Sequence, residues 1–455
     1  MVVGDLATEV DVVVLGAGPG GYVAAIRAAQ LGKQVALIEP GPVGGACLHQ
    51  GCIPSKALLV AAGRAWHMQH SAELGLTVSG LAVDLAQMQH WKAGIVGRLE
   101  QGVEKLLKAN KVEVVRGKGW FLERNEVRVE GEYGAHRFAF EHCIIAVGAT
   151  AAPLPGLPFD GERVLTPAQA LALNQLPAEM NIIGADYIAA ELATILAKLG
   201  VAVRLLLPGQ PQLLPEFDPA AGRQVQAELR KLGVHLERNV TDPAQAVGPA
   251  GPVIVSAGVV PNTAELVLDK VGVSPDENGF IVVNDRMQSS NPAIYAVGDV
   301  VGGPALASLA IKQGKVAAEV LAGLPAQYAP QAVPRVAWTD PEVAAVGLTA
   351  TAAEALGYRV RSGRFPLGGN GRALTLDAAG GVVLTVAEAE TEILLGVTIV
   401  APQASSLIGE AALAIEMGAT LTDLAETLHP HPGLGEALQE SAEVVLERAV
   451  HLLKL

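Results

Sequence analysis

Val10-Asp11-Val12-Val13-Val14-Leu15-Gly16-Ala17-Gly18-Pro19-Gly20-Gly21 is the stretch that decides the fold. Val10 to Leu15 is an apolar run of strand length, the glycine cluster after it reads as a tight turn, and Tyr22 to Leu31 reads as an apolar helix. Val35 to Ile38 then gives a second strand that ends at Glu39. The glycines have separate jobs. Gly16 makes the turn, Gly18 lets a diphosphate approach backbone amides, and Gly21 lets helix and strand pack closely. An anion seated there meets the positive end of the helix dipole. Glu39 stands where a carboxylate accepts hydrogen bonds from an adenosine ribose. Strand, turn, helix and acid together read as a dinucleotide site, where a glycine turn alone would not.

The same grammar returns near Met180. Asn181-Ile182-Ile183 leads into Gly184, an alanine-rich helix runs from about Tyr187 to Leu199, and Val201 to Leu207 follows as a strand. Two such units imply two nucleotide-binding domains. Between them, Ile144-Ile145-Ala146-Val147-Gly148 reads as a buried strand before the link Pro153-Leu154-Pro155-Gly156. Ile294-Tyr295-Ala296-Val297-Gly298-Asp299 reads as another strand ending in an acid, with a helix from Ala305 to Leu321 behind it. Past the proline-bearing segment 325–334, strands Val382 to Val386 and Leu394 to Val400 alternate with helices over 404–417 and 435–450. That last third reads as a separate α+β domain. The expected fold is α/β, with two Rossmann-like dinucleotide-binding domains and a C-terminal α+β domain. The expected divisions are 1–150, 151–272, a return to the first domain over 273–330, and 331–455.

Composition agrees with this. A chain of 455 residues is too long for one ordinary core. Half the residues are hydrophobic but only 4% are aromatic, which points to an interior of Ala, Val, Leu and Gly. A formal charge of −14 argues against nucleic acid as a partner, because the polyanion is repelled, while permitting a basic protein. The apolar runs are strand-length and interrupted, so no membrane span is expected. The opening MVVGDLATEVD lacks the basic flank and long apolar stretch of a secretion signal. Three cysteines make no disulfide scaffold, so a pair among them is expected to be chemical, in a cytoplasmic enzyme.

The sharpest motif is Gly44-Gly45-Ala46-Cys47-Leu48-His49-Gln50-Gly51-Cys52-Ile53-Pro54-Ser55-Lys56. Pro54 suits the first turn of a helix and so places Cys52 at that helix's N-terminus. The dipole there favours a thiolate, the form that attacks disulfides or donates charge to a flavin. Lys56, four residues on, lies on the same face and adds positive charge. Cys47 is a short loop away, near enough to close a small ring with Cys52. No second Cys/His pair has ligand spacing, so no metal site is expected. From these residues alone, two inert buried thiols are the competing reading.

The segment resembles the active-site signature of the disulfide-reducing flavoenzymes, most closely the dihydrolipoamide dehydrogenases of the class I pyridine nucleotide-disulfide oxidoreductase family, and the resemblance runs the length of the chain. It implies an FAD cofactor and a redox-active disulfide in which Cys47 exchanges with substrate while Cys52 contacts the flavin. It implies that Lys56 pairs with a helix glutamate, here Glu191. Tyr295-Ala296-Val297-Gly298-Asp299 resembles the second FAD motif, so Asp299 and Gly148 join Gly16, Gly18, Gly21, Glu39 and Lys56 as cofactor-binding candidates. Phe365-Pro366, Asn370, Arg372-Ala373 and the run Ala411 to Thr420 resemble the family's dimerisation domain. His429-Pro430-His431-Pro432 would be read alone as a turn. With Glu436 it matches the family's His–Glu dyad, His431 serving as acid/base toward the disulfide of a second protomer in a homodimer. An imidazole suits that work because it titrates near neutrality. His429 reads as structural. The implied substrate is a dihydrolipoyl group, the implied acceptor NAD, and an implied partner the lipoyl-bearing acyltransferase of a 2-oxo acid dehydrogenase complex. A sister reductase acting on glutathione, another thiol or mercuric ion is an alternative. The dimerisation domain counts against glutathione, and the absence of a C-terminal cysteine pair counts against mercuric ion. A repurposed FAD-binding subunit is the other. Cys143 reads as preceding a buried strand with no redox role, and the four tryptophans read as core or interface.

The second nucleotide turn departs from the family pattern. It reads Gly184-Ala185-Asp186-Tyr187-Ile188-Ala189, with Gly184 kept and Asp186 in place of the glycine that faces the coenzyme diphosphate. Two like charges 4 Å apart repel by roughly 4 kcal/mol at an effective dielectric near 20, nearly three decades in affinity. The following strand ends Leu206-Leu207-Pro208 without an acid, and no arginine cluster follows to favour NADP. Gly258-Val259-Val260-Pro261-Asn262 lacks the family's arginine, and Ser308 stands where histidine is usual. Asp186 either caps its own helix and fills the anion site, or points away and leaves backbone contacts to hold NAD.

Overall fold

The computed structural model describes residues 7–132 and 134–452; residues 1–6, on which the reading of the N-terminal leader partly rests, lie outside them. The first sheet has the order Glu113–Arg116, Val35–Glu39, Thr8–Leu15, Gly134–Ile145, Glu126–Gly131, Lys118–Glu123, with Ile294–Ala296 also paired to Gly134–Ile145. Its dinucleotide half is parallel, with Val12 to Leu15 in register with Val35 to Ile38 on one side and His142 to Ile145 on the other. Helix Pro19–Gln30 crosses between the first two strands and buries its alanines, Ala24, Ala25 and Ala28, against them. The second sheet is wholly parallel, in the order His235–Val240, Ala202–Pro208, Glu179–Ile183, Val253–Val255, Val164–Leu165. A short antiparallel pair, Ala149–Ala151 with Val259–Pro261, ties the outgoing and returning chain together between these sheets.

The last sheet is antiparallel, Arg335–Ala337, Glu342–Gly347, Leu394–Ala401, Val382–Glu388, Val360–Pro366. One face is covered by helices Ala404–Glu416, Leu421–Glu426 and Glu436–Val445. From the other face Ala337, Val343, Ala345, Val382 and Val400 join the core of the second dinucleotide unit. The mixed α/β architecture is therefore as the strand and glycine pattern predicts.

Four local expectations need correction. The strand expected over Ile294 to Asp299 stops at Ala296, because the chain tightens into a 3-10 turn, Gly298–Val301, whose first amide donates to Gln313 Oε1 at 2.8 Å. The helix expected over 435–450 spans Glu436–Val445. It stops where Glu447 takes φ +62° and the Arg448 amide returns to the Glu443 carbonyl. Cys143 lies within its strand, opposite Val13, not ahead of it, and is fully buried. None of the tryptophans is buried, and Trp338 borders the site described next. No helix among the described residues is long and apolar enough to cross a membrane.

Candidate active site

The carboxyl ends of three neighbouring strands, Thr8–Leu15, Gly134–Ile145 and Ile294–Ala296, place Gly16, Gly148 and Asp299 along one edge of the first sheet. That edge is where open α/β sheets bind ligands. Gly16 has φ +99° and its amide donates to the Ile38 carbonyl at 2.8 Å, which closes the turn. Gly18 begins the helix Pro19–Gln30, and no side chain caps the exposed amides there. Glu39 accepts from the Ala17 amide at 2.7 Å and the Gly41 amide at 2.9 Å, so the acid holds the turn and keeps further lone pairs free to accept from a hydroxyl.

The redox loop is built onto this turn. The Gly44 amide donates to the Ala17 carbonyl at 2.8 Å, and a Cβ on Gly45 would stand 2.6 Å from the Gly18 Cα. Gly45 itself has φ +62°, so both conformation and close approach require glycine there. Cys47 sits in the short helix Gly45–His49, and Cys52 is the first residue of Cys52–Gln69. The two are joined as a disulfide with Cα atoms 4.8 Å apart. No side chain caps the helix that Cys52 opens, which leaves the positive end of its dipole uncompensated at that cysteine.

One turn along that helix, Lys56 Nζ donates to Glu191 Oε2 at 2.8 Å and Oε1 at 3.0 Å. Glu191 projects from helix Tyr187–Lys198 of the second unit and is only 3% exposed, so the pair clamps the two nucleotide units together. Burial pushes the Glu191 carboxyl up, against the pull of Lys56 and of the Trp338 amide, which donates to Glu191 Oε1 at 3.0 Å. The Trp338 ring lies 5.4 Å from Lys56 Nζ, within cation–π range. Sequence reading missed Trp338. It also passed over Tyr187, whose half-buried phenol is held in its neutral form by burial first and then by the charges of Glu191, Asp186 and Asp299.

The dyad residues stand in the last domain. His431 Nδ1 lies 2.7 Å from Glu436 Oε1, and Glu436 Oε2 accepts from the Gly433 amide at 2.8 Å. Burial alone would raise the Glu436 carboxyl, yet the Gly433 amide and the His431 ring hold it below the usual range. The His431 ring is 81% exposed, whereas the His429 side chain is 5% exposed and lies 2.9 Å from Glu410 Oε1. The structure thus brings Cys47, Cys52, Lys56 and Glu191 together and leaves the His431–Glu436 pair facing outward.

FAD fits the first turn on two observations. A Cβ at Gly18 would meet nothing nearer than the Gly45 Cα at 4.0 Å, so the cradle has an open side over the helix amides. The Asp299 carboxyl is half-buried and pushed up by that burial, with no donor reaching it among the described residues, an arrangement that a sugar-alcohol hydroxyl satisfies. NAD does not fit the second turn in the same way. Asp186 Oδ1 accepts from the Ala189 amide at 2.9 Å, and both its oxygens accept from the Ser256 hydroxyl, at 3.0 and 2.8 Å. Of the two orientations open to Asp186, the capping one is present. Among the described residues no group of His, Cys, Asp and Glu is arranged to hold a metal.

Comparison with known proteins agrees with this geometry. Residues 10–314 match the pyridine nucleotide-disulphide oxidoreductase family and residues 333–442 its dimerisation domain. The chain is 42% identical to a dihydrolipoyl dehydrogenase of Geobacillus stearothermophilus, with all of both chains covered, and 43% identical to one of Halobacterium salinarum at the same coverage. Among solved structures it is similar to LpdA from Mycobacterium tuberculosis (TM-score 0.89, 27% identity, 96% of this chain and 99% of that one). The fold alone is shared with the HOCl-induced flavoprotein disulfide reductase RclA from Escherichia coli (TM-score 0.84, 23% identity, 96% and 100%). The family uses FAD and NAD as cofactors. With a disulfide on the first dinucleotide turn and a dimerisation domain behind the second, the chain belongs to the pyridine nucleotide-disulphide oxidoreductase family.

Proposed function

We propose that this protein is an FAD-dependent dihydrolipoyl dehydrogenase-like oxidoreductase that oxidises dihydrolipoyl groups through Cys47–Cys52. The observation that carries the reading is the disulfide seated on the first dinucleotide turn, with Lys56–Glu191 locked one helical turn away. Its relatives that are named dihydrolipoyl dehydrogenase match over the full length. His431, oriented by Glu436, takes the proton from one dihydrolipoyl thiol. The thiolate attacks the Cys47 sulfur and releases Cys52 as a thiolate, which the helix terminus stabilises. The second substrate thiol then displaces Cys47, leaving oxidised lipoyl and a Cys47/Cys52 dithiol. FAD, when bound, supplies the acceptor for that electron pair. Gly16, Gly18, Gly21, Glu39, Gly148 and Asp299 would hold it, and the part-buried Lys56, fixed by Glu191, would offer it a positive charge.

His431 points outward, which supports its service to the disulfide of a second copy, and the reading is a homodimer. The domain limits proposed are 1–150 with 273–330, 151–272 and 331–455. A lipoyl-bearing acyltransferase is the proposed protein partner, and the cytoplasm the proposed location. The test is anaerobic mixing of the FAD-loaded protein with dihydrolipoamide. The first equivalent of dithiol should perturb the flavin band as two electrons enter the disulfide–flavin pair, and excess dithiol should bleach it; a flavin spectrum unchanged by excess dithiol would remove dihydrolipoyl as the substrate.

A further inference from the structure

The two dinucleotide turns can be compared atom for atom through their backbone bonds. The Gly16 amide donates to the Ile38 carbonyl and the Gly184 amide to the Leu206 carbonyl. The Gly44 amide returns to Ala17, and the Leu214 amide returns to Ala185 at 2.7 Å. Asp186 therefore occupies the place of Gly18, Ala189 that of Gly21, and Leu207 that of Glu39. The Leu207 side chain is fully buried in the core, so nothing at that position faces a ribose.

We infer that this protein's second nucleotide turn is closed to the pyridine-nucleotide diphosphate because the Asp186 carboxylate, fixed by Ser256, is its resident anion. The carboxylate takes the helix amide that a phosphate oxygen needs, and its Ser256 anchor comes from the end of the neighbouring strand Val253–Val255. Glu216, also half-buried, brings a second carboxyl near the same turn, pushed up by burial first and then by the Asp186 charge. Val259 and Val260 offer no cation to offset either. A diphosphate arriving here meets the Asp186 carboxylate and a spent donor, while the arginine nearby, Arg335, acts on Glu216. This inference rests on the second turn alone, and on the proposed flavin–disulfide centre only for the optical readout of its test.

The experiment uses the FAD-loaded full chain. NAD+ is titrated calorimetrically to about 5 mM, a range that detects any affinity in the sub-millimolar band, and NADH and dihydrolipoamide are added anaerobically in separate cells. The expected result is no saturable NAD+ binding and no bleaching by NADH, with bleaching by dihydrolipoamide. Two variants accompany the wild type. Asp186→Gly removes charge and bulk at a position where glycine is also a tolerated cap, and Asp186→Asn keeps the cap and removes the charge. Each should tighten NAD+ binding, the glycine variant by roughly a hundredfold. Saturable binding to the wild type, bleaching by NADH, or no gain in either variant overturns the inference. Failure of excess dihydrolipoamide to alter the flavin spectrum would instead strike the proposed substrate and leave the closed turn standing.

Discussion

The turn at Gly16–Gly21 and the turn at Gly184–Ala189 are the same piece of backbone put to opposite uses. Each follows a buried strand, starts at a glycine of positive φ, opens a helix and is covered by a returning loop held through one amide. In the first, the helix amides carry no side-chain cap and an acid from the next strand steadies the turn. In the second, an acid of the turn itself takes the amide, and the next strand supplies leucine and proline. The scaffold survives because strand, turn and helix are held by backbone bonds and alanine packing, neither of which requires a ligand. The ligand-facing positions are few, and changing them leaves the scaffold intact.

The loops over the two turns differ as much as the turns, and that contrast gives the largest expected effect. Over the first lies the loop of Cys47, and over the second lies the loop bearing Leu214. Replacing Cys47→Ser should leave FAD bound and slow flavin reduction by dihydrolipoamide at least a thousandfold, since a hydroxyl cannot form the mixed disulfide. Rapid mixing monitored at the flavin band measures it. Retained bleaching at the wild-type rate would mean that the loop over the first turn is not the port for electrons.

Gly18→Asp rebuilds the second turn inside the first. Gly18 has φ −67°, which any residue accepts, and its Cβ has room, so the fold should hold while a carboxylate moves into the diphosphate cradle. FAD affinity is expected to drop by roughly two to three decades, read as flavin content after purification and as the dissociation constant on reconstitution. A yellow, fully loaded Gly18→Asp protein would break the comparison, since it would show that this position tolerates a charge.

Much of this is legible in the chain itself. The glycine spacing, the alanine helix and the strand-length apolar runs are local signals, and local signals point to both turns, the Cys52 helix terminus and the position of Asp186 as a cap. Lys56 and Glu191 lie 135 residues apart in the chain, and their pairing came from the family pattern. What stayed hidden was non-local without a pattern to carry it. Trp338 reaches Glu191 through its backbone amide, a group nearly every residue has, so its side chain announced nothing. Ser256 is 70 residues from Asp186 and is one serine among many. The short strand at Ile294–Ala296 failed for another reason: Val297 and Gly298 continue the apolar pattern while the backbone has already turned toward Gln313.

The smallest effect expected is on stability, and its sign separates a cap that is merely present from one that is charged at a cost. Burial pushes the Asp186 carboxyl above its ordinary value of 3.8, and the Ala189 amide and Ser256 hydroxyl pull it only part of the way back. A carboxyl whose folded pKa exceeds its unfolded one favours the folded state at low pH. That advantage is lost as pH rises from the unfolded value through the folded one. The side-chain amide of an Asp186→Asn variant caps about as well and cannot ionise, so the exchange itself shifts stability by only a few tenths of a kcal/mol. Asp299, raised by burial alone, is common to both proteins and cancels, whereas Glu191 and Glu216 are also pushed up by the Asp186 charge, so its removal relieves them and adds to the difference in the same direction. Urea melts at pH steps from about 4 to 8 should therefore show Asp186→Asn gaining on the wild type as pH rises, then running parallel to it. A difference that shrinks with rising pH would mean the ionised carboxylate is favoured in its pocket, held by more than the amide and hydroxyl that the second turn provides.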